Sequence, residues 1–137
     1  MPQVQGLLET ALYAEDMHRT PDFYGRVVGF ARIFTGDRLI AMDVAGRSVL
    51  LIFAKGAGNA PNSLPGGSDP TSRRLLANAF CVCHSEEDVE AWREHFIVHQ
   101  VPIESTVDWP EGAISLYFRD RDQNLAEMIP PGSWSIY

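Results

Sequence analysis

The order strand, helix, strand, strand, strand is spelled out twice along this chain, and that repetition limits its fold more than any other feature. In the first copy, Leu8 to Ala14 reads LETALYA, an apolar stretch with Glu9 embedded in it. Strand geometry puts Glu9, Ala11 and Tyr13 on one face and Leu8, Thr10 and Leu12 on the other. A helix is expected next, with Thr20 as N-cap, Pro21 at the first helical position and Asp22 at the positive end of the dipole. Phe23, Tyr24, Val27 and Val28 form its apolar stripe, and Gly29 supplies the stop. Strands over about 30–35, 39–44 and 48–53 follow, separated by turns at Gly36-Asp37 and Ala45-Gly46-Arg47.

The second copy opens at Leu75 to Cys83 (LLANAFCVC), read as a strand. Ser85 and Asp88 resemble a capping box, and Val89, Trp92, Phe96 and His99 give the next helix an inward stripe. Strands over 101–107, 113–119 and 125–129 are divided by the turns Trp109-Pro110-Glu111-Gly112 and Asp120-Arg121-Asp122-Gln123-Asn124. One half alone could not cover its sheet. Two paired halves can bury one sheet face under their helices and curl the other around a cleft. The expected organisation is a single α+β domain over 1–137. Module one spans about 6–54, a linker or flap about 55–74, module two about 75–130, and a tail 131–137 in which Trp134 packs down. The segment AKGAGNAPNSLPGGSDPTSRR is rich in Gly, Pro, Asn and Ser and too long for an ordinary connection, so it reads either as a plain linker or as a flap over a cavity.

Composition narrows the function. The 137 residues suffice for one domain with a real core, and 45% apolar with 21% charged residues is ordinary for a globular protein. A net charge of −7 argues against nucleic acid, whose phosphates need a basic surface, and would attract a cationic ligand. No apolar run approaches the roughly 18 residues that span a membrane. The opening MPQVQGLLET lacks the pattern of a signal peptide, which gives an expected cytoplasmic location. Cys81 and Cys83, two apart, match no zinc or redox motif and read as buried thiols.

Three stretches carry a family resemblance: LETALYAEDMHRTPDFYGRVVGF, GDRLIAMDVAGRSVLLIF and SLYFRDRDQNLAEMIPPGSW. They resemble, in order, the opening strand and helix, the following strands, and the closing strand–turn–strand signature of the glyoxalase/bleomycin-resistance/extradiol-dioxygenase superfamily, also called vicinal oxygen chelate proteins. In that signature an Asp-x-Asp-Gly-Asn-like turn precedes a strand bearing Glu. The resemblance implies two βαβββ modules forming a cup-shaped mixed sheet around a small-molecule cavity, with helices on the outer face, usually in a homodimer. It also implies a divalent metal (zinc, nickel, iron or manganese) held by the first and last strands of each module and acting as a Lewis acid.

Two carboxylates match that ligand pattern: Glu9 on the first strand of module one and Glu127 on the last strand of module two. The other two positions fall near Leu50 and on Ala77 or Ala79, none of which can ligate. Asn78 would enter only if the register shifted by one. His84, beyond the strand, reads more simply as a surface residue. Two carboxylates fall short of the three protein ligands of a typical catalytic site, so no metal is favoured. Glu9 and Glu127 interrupt apolar strands, where a carboxylate is costly unless satisfied, and would serve as general base and acid if they faced one cavity. Tyr13, Trp109, Tyr117 and Arg119 are candidates to line a ligand pocket or simply to pack. His18, His95 and His99 lie on or beside helices and read as structural or solvated. The expected function is small-molecule binding with a degenerate metal site. The alternative is a metal-dependent lyase, isomerase or dioxygenase using Glu9 and Glu127, and a third reading is a non-catalytic interaction module.

Overall fold

A computed structural model describes residues 8–57, 63–64, 67–68, 79–82 and 86–133, with the backbone alone at 63–64, 67–68, 79–82 and 86–88. The chain divides into two compact units, Met1–Ala77 and Asn78–Tyr137. Ala77, Asn78, Cys83, His84, Ser85 and Trp134, and the side chains of Cys81 and Asp88, lie outside the described part, and so does the packing expected of each.

The first unit contains β1 (Glu9–Ala14), α1 (Arg19–Phe23), a π-helical turn over Tyr24–Val28, β2 (Ala31–Thr35), β3 (Leu39–Val44) and β4 (Ser48–Ala54). Its four-stranded sheet runs β1-β4-β3-β2, with β1 parallel to β4 and the other pairs antiparallel. The expected N-cap at Thr20 is not the one used. The Asp16 carboxylate accepts hydrogen bonds from the amides of His18 and Arg19 at 2.8 and 3.0 Å, and the helix starts at Arg19 with Thr20 buried inside it. Those two bonds hold the Asp16 carboxyl below its ordinary pKa. An ionised carboxylate facing two orphan amides is a stronger cap than a threonine hydroxyl one turn later, and Pro21 still sits in the first turn, where its missing N–H costs nothing. Gly29 ends the turn as expected, at φ 87°.

Alternation then sets the core. Leu12, Ile40, Met42, Leu50 and Ile52 are buried together with Phe23, Tyr24, Val27 and Val28. The ladder puts Ile52 beside both Leu12 and Ile40, and Leu50 beside Met42. Each such side chain contributes about 1.5–3 kcal/mol by leaving water.

Later in the first unit, Ser63–Leu64 and Gly67–Ser68 pair as a short antiparallel ladder, β5 and β6. That element falls inside the stretch read as a linker or flap.

The second unit repeats the first: β7 (Ala79–Val82), α2 (Glu86–Val98), β8 (Ile103–Asp108), β9 (Ile114–Arg119) and β10 (Leu125–Ile129), in the order β7-β10-β9-β8. The β7–β10 pair is parallel, like β1–β4. Even the irregularities recur, because the edge strands β2 and β8 each carry a register shift, at Arg32/Phe34 and Ile103/Ser105. The rings of Phe96 on α2 and Phe118 on β9 meet at 4.6 Å, and Leu116, Ala126 and Met128 are buried on the same sheet face as Phe118. Of the expected inward stripe, Val89 and Phe96 are buried, Trp92 is half-buried and His99 is exposed. His99 lies past the last helical residue, where the chain turns away.

Candidate functional site

The face of the second sheet turned away from α2 carries a line of polar side chains. Strand alternation sets Ser115, Tyr117 and Arg119 on that face, and the β9–β10 ladder places Glu127 directly opposite Tyr117. The Trp109 indole N–H donates to Ser115 Oγ at 3.2 Å. The Ser115 hydroxyl is hydrogen-bonded to Tyr117, and Tyr117 to the Glu127 carboxylate. Burial is the main cause that raises the Tyr117 phenol above its ordinary pKa. The hydrogen bond to Glu127 and the charge of that carboxylate push the same way, and the Ser115 hydroxyl opposes them. The directions agree along the line: indole to serine, serine to phenol, phenol to carboxylate.

Glu127 is 4% exposed, and its Oε1 is buried without a hydrogen-bond partner among the described residues. An unsatisfied buried acceptor costs about 1–3 kcal/mol, and more when charged, so native proteins rarely keep one without use.

The closing turn holds this strand in place. Asp120 is buried, and its carboxylate accepts from the amides of Asp122 and Asn124 and from Asn124 Nδ2, each at 2.9 Å. Gln123 adopts φ 67°, a left-handed conformation, at the position where the superfamily turn carries Gly.

Arg119 does not join the line. Its Nε and Nη2 meet Glu104 Oε2 and Oε1 at 2.6 and 3.0 Å, and Nη1 donates to the Gln123 carbonyl at 3.0 Å. That forked pair lowers the Glu104 pKa and binds Arg119 to the scaffold.

The corresponding face of the first sheet is different. Glu9 is exposed and its register partner is Val49, while Tyr13 is half-buried with its ring 6.0 Å from that of its partner Phe53. Leu50, expected to share the ligand face, lies on the core face, 1% exposed, paired with Thr10 on one side and Met42 on the other. Val49 and Leu51 occupy the Glu9 face instead, and both are apolar. A similar correction applies in module two: Ala79 pairs with Ala126, and the residue opposite Glu127 is Phe80. The ladders shift the expected alignment by one residue in both modules: Val49 and Phe80, the partners of Glu9 and Glu127, cannot ligate, and Asn78, which such a shift would bring into phase, lies outside the described residues.

Each sheet thus offers one carboxylate at the positions expected for metal, and even together Glu9 and Glu127 fall short of a three-ligand catalytic set. No three His, Cys, Asp or Glu side chains cluster in metal-binding geometry among the described residues. The donors among the described residues do not make up the three-ligand set of a catalytic metal. Ser115 was not singled out from sequence, although its position two residues before Tyr117 placed it on the same face.

The family model for the Glyoxalase/Bleomycin resistance protein/Dioxygenase superfamily matches residues 6–128. The chain belongs to that superfamily. Among solved structures it is similar to a lactoylglutathione lyase from Agrobacterium tumefaciens, at 25% identity and a TM-score of 0.82, over 98% of this chain and 99% of that one. It is also similar to the fosfomycin resistance protein FosX from Listeria monocytogenes, at 17% identity and a TM-score of 0.66, over 93% and 94% of the two chains. A glyoxalase/bleomycin resistance protein/dioxygenase from Nocardioides shares 14% identity at a TM-score of 0.68, over 98% and 93%. No curated protein matches the chain. Among the described residues, no helix is long and apolar enough to cross a membrane.

Proposed function

We propose that this protein binds a small molecule without a resident metal, and that Glu127 and Tyr117 anchor the ligand. The buried, unpartnered Glu127 Oε1 carries the reading. A ligand amine, amide or hydroxyl would donate to that oxygen and remove the penalty of leaving it unmet. Tyr117 donates to the carboxylate and orients it, and Ser115 and Trp109 orient Tyr117 in turn. The net charge of −7 favours a cationic donor over an anionic one. The same reading carries the homodimer expected from the superfamily, which sizing in solution tests.

The test is a thermal-shift screen of amines, hydroxy compounds and carboxylates, with hits titrated calorimetrically. The reading expects donor-bearing hits whose affinity falls about tenfold or more in Glu127→Gln. Tyr117→Phe should weaken them less. Hits that bind Glu127→Gln as tightly as the native chain would overturn it.

A second reading, a metal-dependent lyase or isomerase using Glu9 and Glu127, draws on the 25% identity to a lactoylglutathione lyase. It expects lactoylglutathione lyase activity after loading with nickel, zinc, iron or manganese, and loss of that activity in both Glu9→Ala and Glu127→Ala.

A further inference from the structure

We propose that His95 and His99, at the C-terminal end of α2, form a two-point site for a borderline divalent transition-metal ion of the copper, nickel or zinc class. The pair is separate from the Glu127 line, since α2 packs on the opposite face of the second sheet.

The geometry comes from the helix end. Residues four apart on a helix stand one above the other. The His99 amide donates to the His95 carbonyl at 3.0 Å, which keeps that spacing through the last turn. The chain then leaves in a Schellman arrangement: Gln100, at φ 55°, donates to Ile97 and Val101 donates to Phe96. Buried Phe96 and Val101 pin this turn from below. The two imidazoles are consequently held together, with ring centroids 4.3 Å apart at an interplanar angle of 43°.

Two imidazoles one helical turn apart are the chelating half of the helical zinc motif, and imidazole suits copper, nickel and zinc. His99 is exposed and His95 half-buried, so an ion can reach the pair from water, which would complete its coordination. The helix C-terminus carries partial negative charge, and the chain as a whole is acidic, so both fields favour a cation there. Each imidazole has two nitrogens, so coordination through one leaves the other for its existing contacts.

Trp92 supplies a reporter. Its ring stands edge-on to His95 at 5.2 Å, close enough for a bound paramagnetic ion to quench it. Titrating the full chain with Cu²⁺ should quench part of the emission of the three tryptophans, saturating at one ion per chain. His95→Ala or His99→Ala should weaken that response roughly tenfold or more, since each converts a chelate into a single contact. His18→Ala, at an exposed histidine of the first unit, should leave it unchanged. Substoichiometric Cu²⁺ should broaden two of the four histidine Cε1–H NMR signals before the others, a readout that needs no variant to fold. Quenching in either helix variant as strong as in the native chain, unsaturable quenching of the native chain, or uniform broadening of all four signals would each overturn the site.

Discussion

The two modules share a strand order, a parallel first–last pair and an edge-strand register shift, yet their sheet faces away from the helices differ in chemistry. Module one presents Tyr13, Val49, Leu51 and Phe53 there, with Glu9 exposed at the end of the row. Module two presents a hydrogen-bonded line from Trp109 through Ser115 and Tyr117 to buried Glu127. A duplicated fold requires only that its helix-facing residues stay apolar, so the opposite faces were free to diverge. One is an apolar wall and the other a hydrogen-bonded polar row.

The largest test of the comparison lies in the faces that did not diverge. Phe118→Ala should destabilise the protein by about 3–5 kcal/mol and Leu50→Ala by about 2–5 kcal/mol, read by chemical denaturation. Comparable losses would show that both helix-facing cores bear weight; a negligible loss for either would break the symmetry.

The polar faces should then separate the modules. Glu127→Gln removes a buried charge with an unmet oxygen and should stabilise the protein by about 1 kcal/mol while weakening ligand binding. Glu9→Gln, at an exposed position, should change stability by less than about 0.5 kcal/mol. A destabilising Glu127→Gln would mean that the carboxylate is satisfied.

Smaller effects lie in the turns. Gln123→Gly should stabilise module two by about 0.5–1 kcal/mol by relieving a left-handed non-glycine residue, and Gly29→Ala should destabilise module one by a similar amount.

The pH dependence also divides by module. The Tyr117 phenol is raised, so the folded state favours its neutral form. Its contribution is fully present below the ordinary value of 10.0 and is lost as pH rises through the folded value. An ultraviolet titration should find a late-ionising tyrosine that is absent in Tyr117→Phe and shifted back toward the ordinary range in Glu127→Gln. Glu104 in module two and Asp16 in module one are both lowered, by Arg119 and by the backbone amides of Arg19 and His18 respectively. Their contributions are present above the ordinary values of 4.5 and 3.8 and are lost as pH falls through the lowered folded values. Glu104→Gln should flatten the acid side of the stability profile.

Much of this was legible in the residues. Strand β3 at Leu39–Val44 and strand β10 at Leu125–Ile129 fall where alternation and flanking turns placed them, and Gly29 ends its helix because the left-handed turn needs it. What escaped depends on contacts between residues distant along the chain, or on one-residue register. Asp16 caps the amides of His18 and Arg19 one turn before Thr20 could act, so the helix starts earlier than Thr20 would set it. Whether Leu50 or Val49 faces with Glu9 is decided by the β1–β4 ladder, which a single strand does not reveal. Arg119 shares a face with Tyr117 by alternation, but the edge-strand shift at β8 presents Glu104 to it, and the ion pair takes it out of the line.

The central claim is that Glu127 serves a ligand directly and holds no metal. Elemental analysis of the His95→Ala/His99→Ala double variant, purified without chelator, tests it most directly, because that variant lacks the proposed helix site. The account predicts no stoichiometric zinc, nickel, iron or manganese. One equivalent of metal per chain, lost when Glu127→Ala is added, would contradict it.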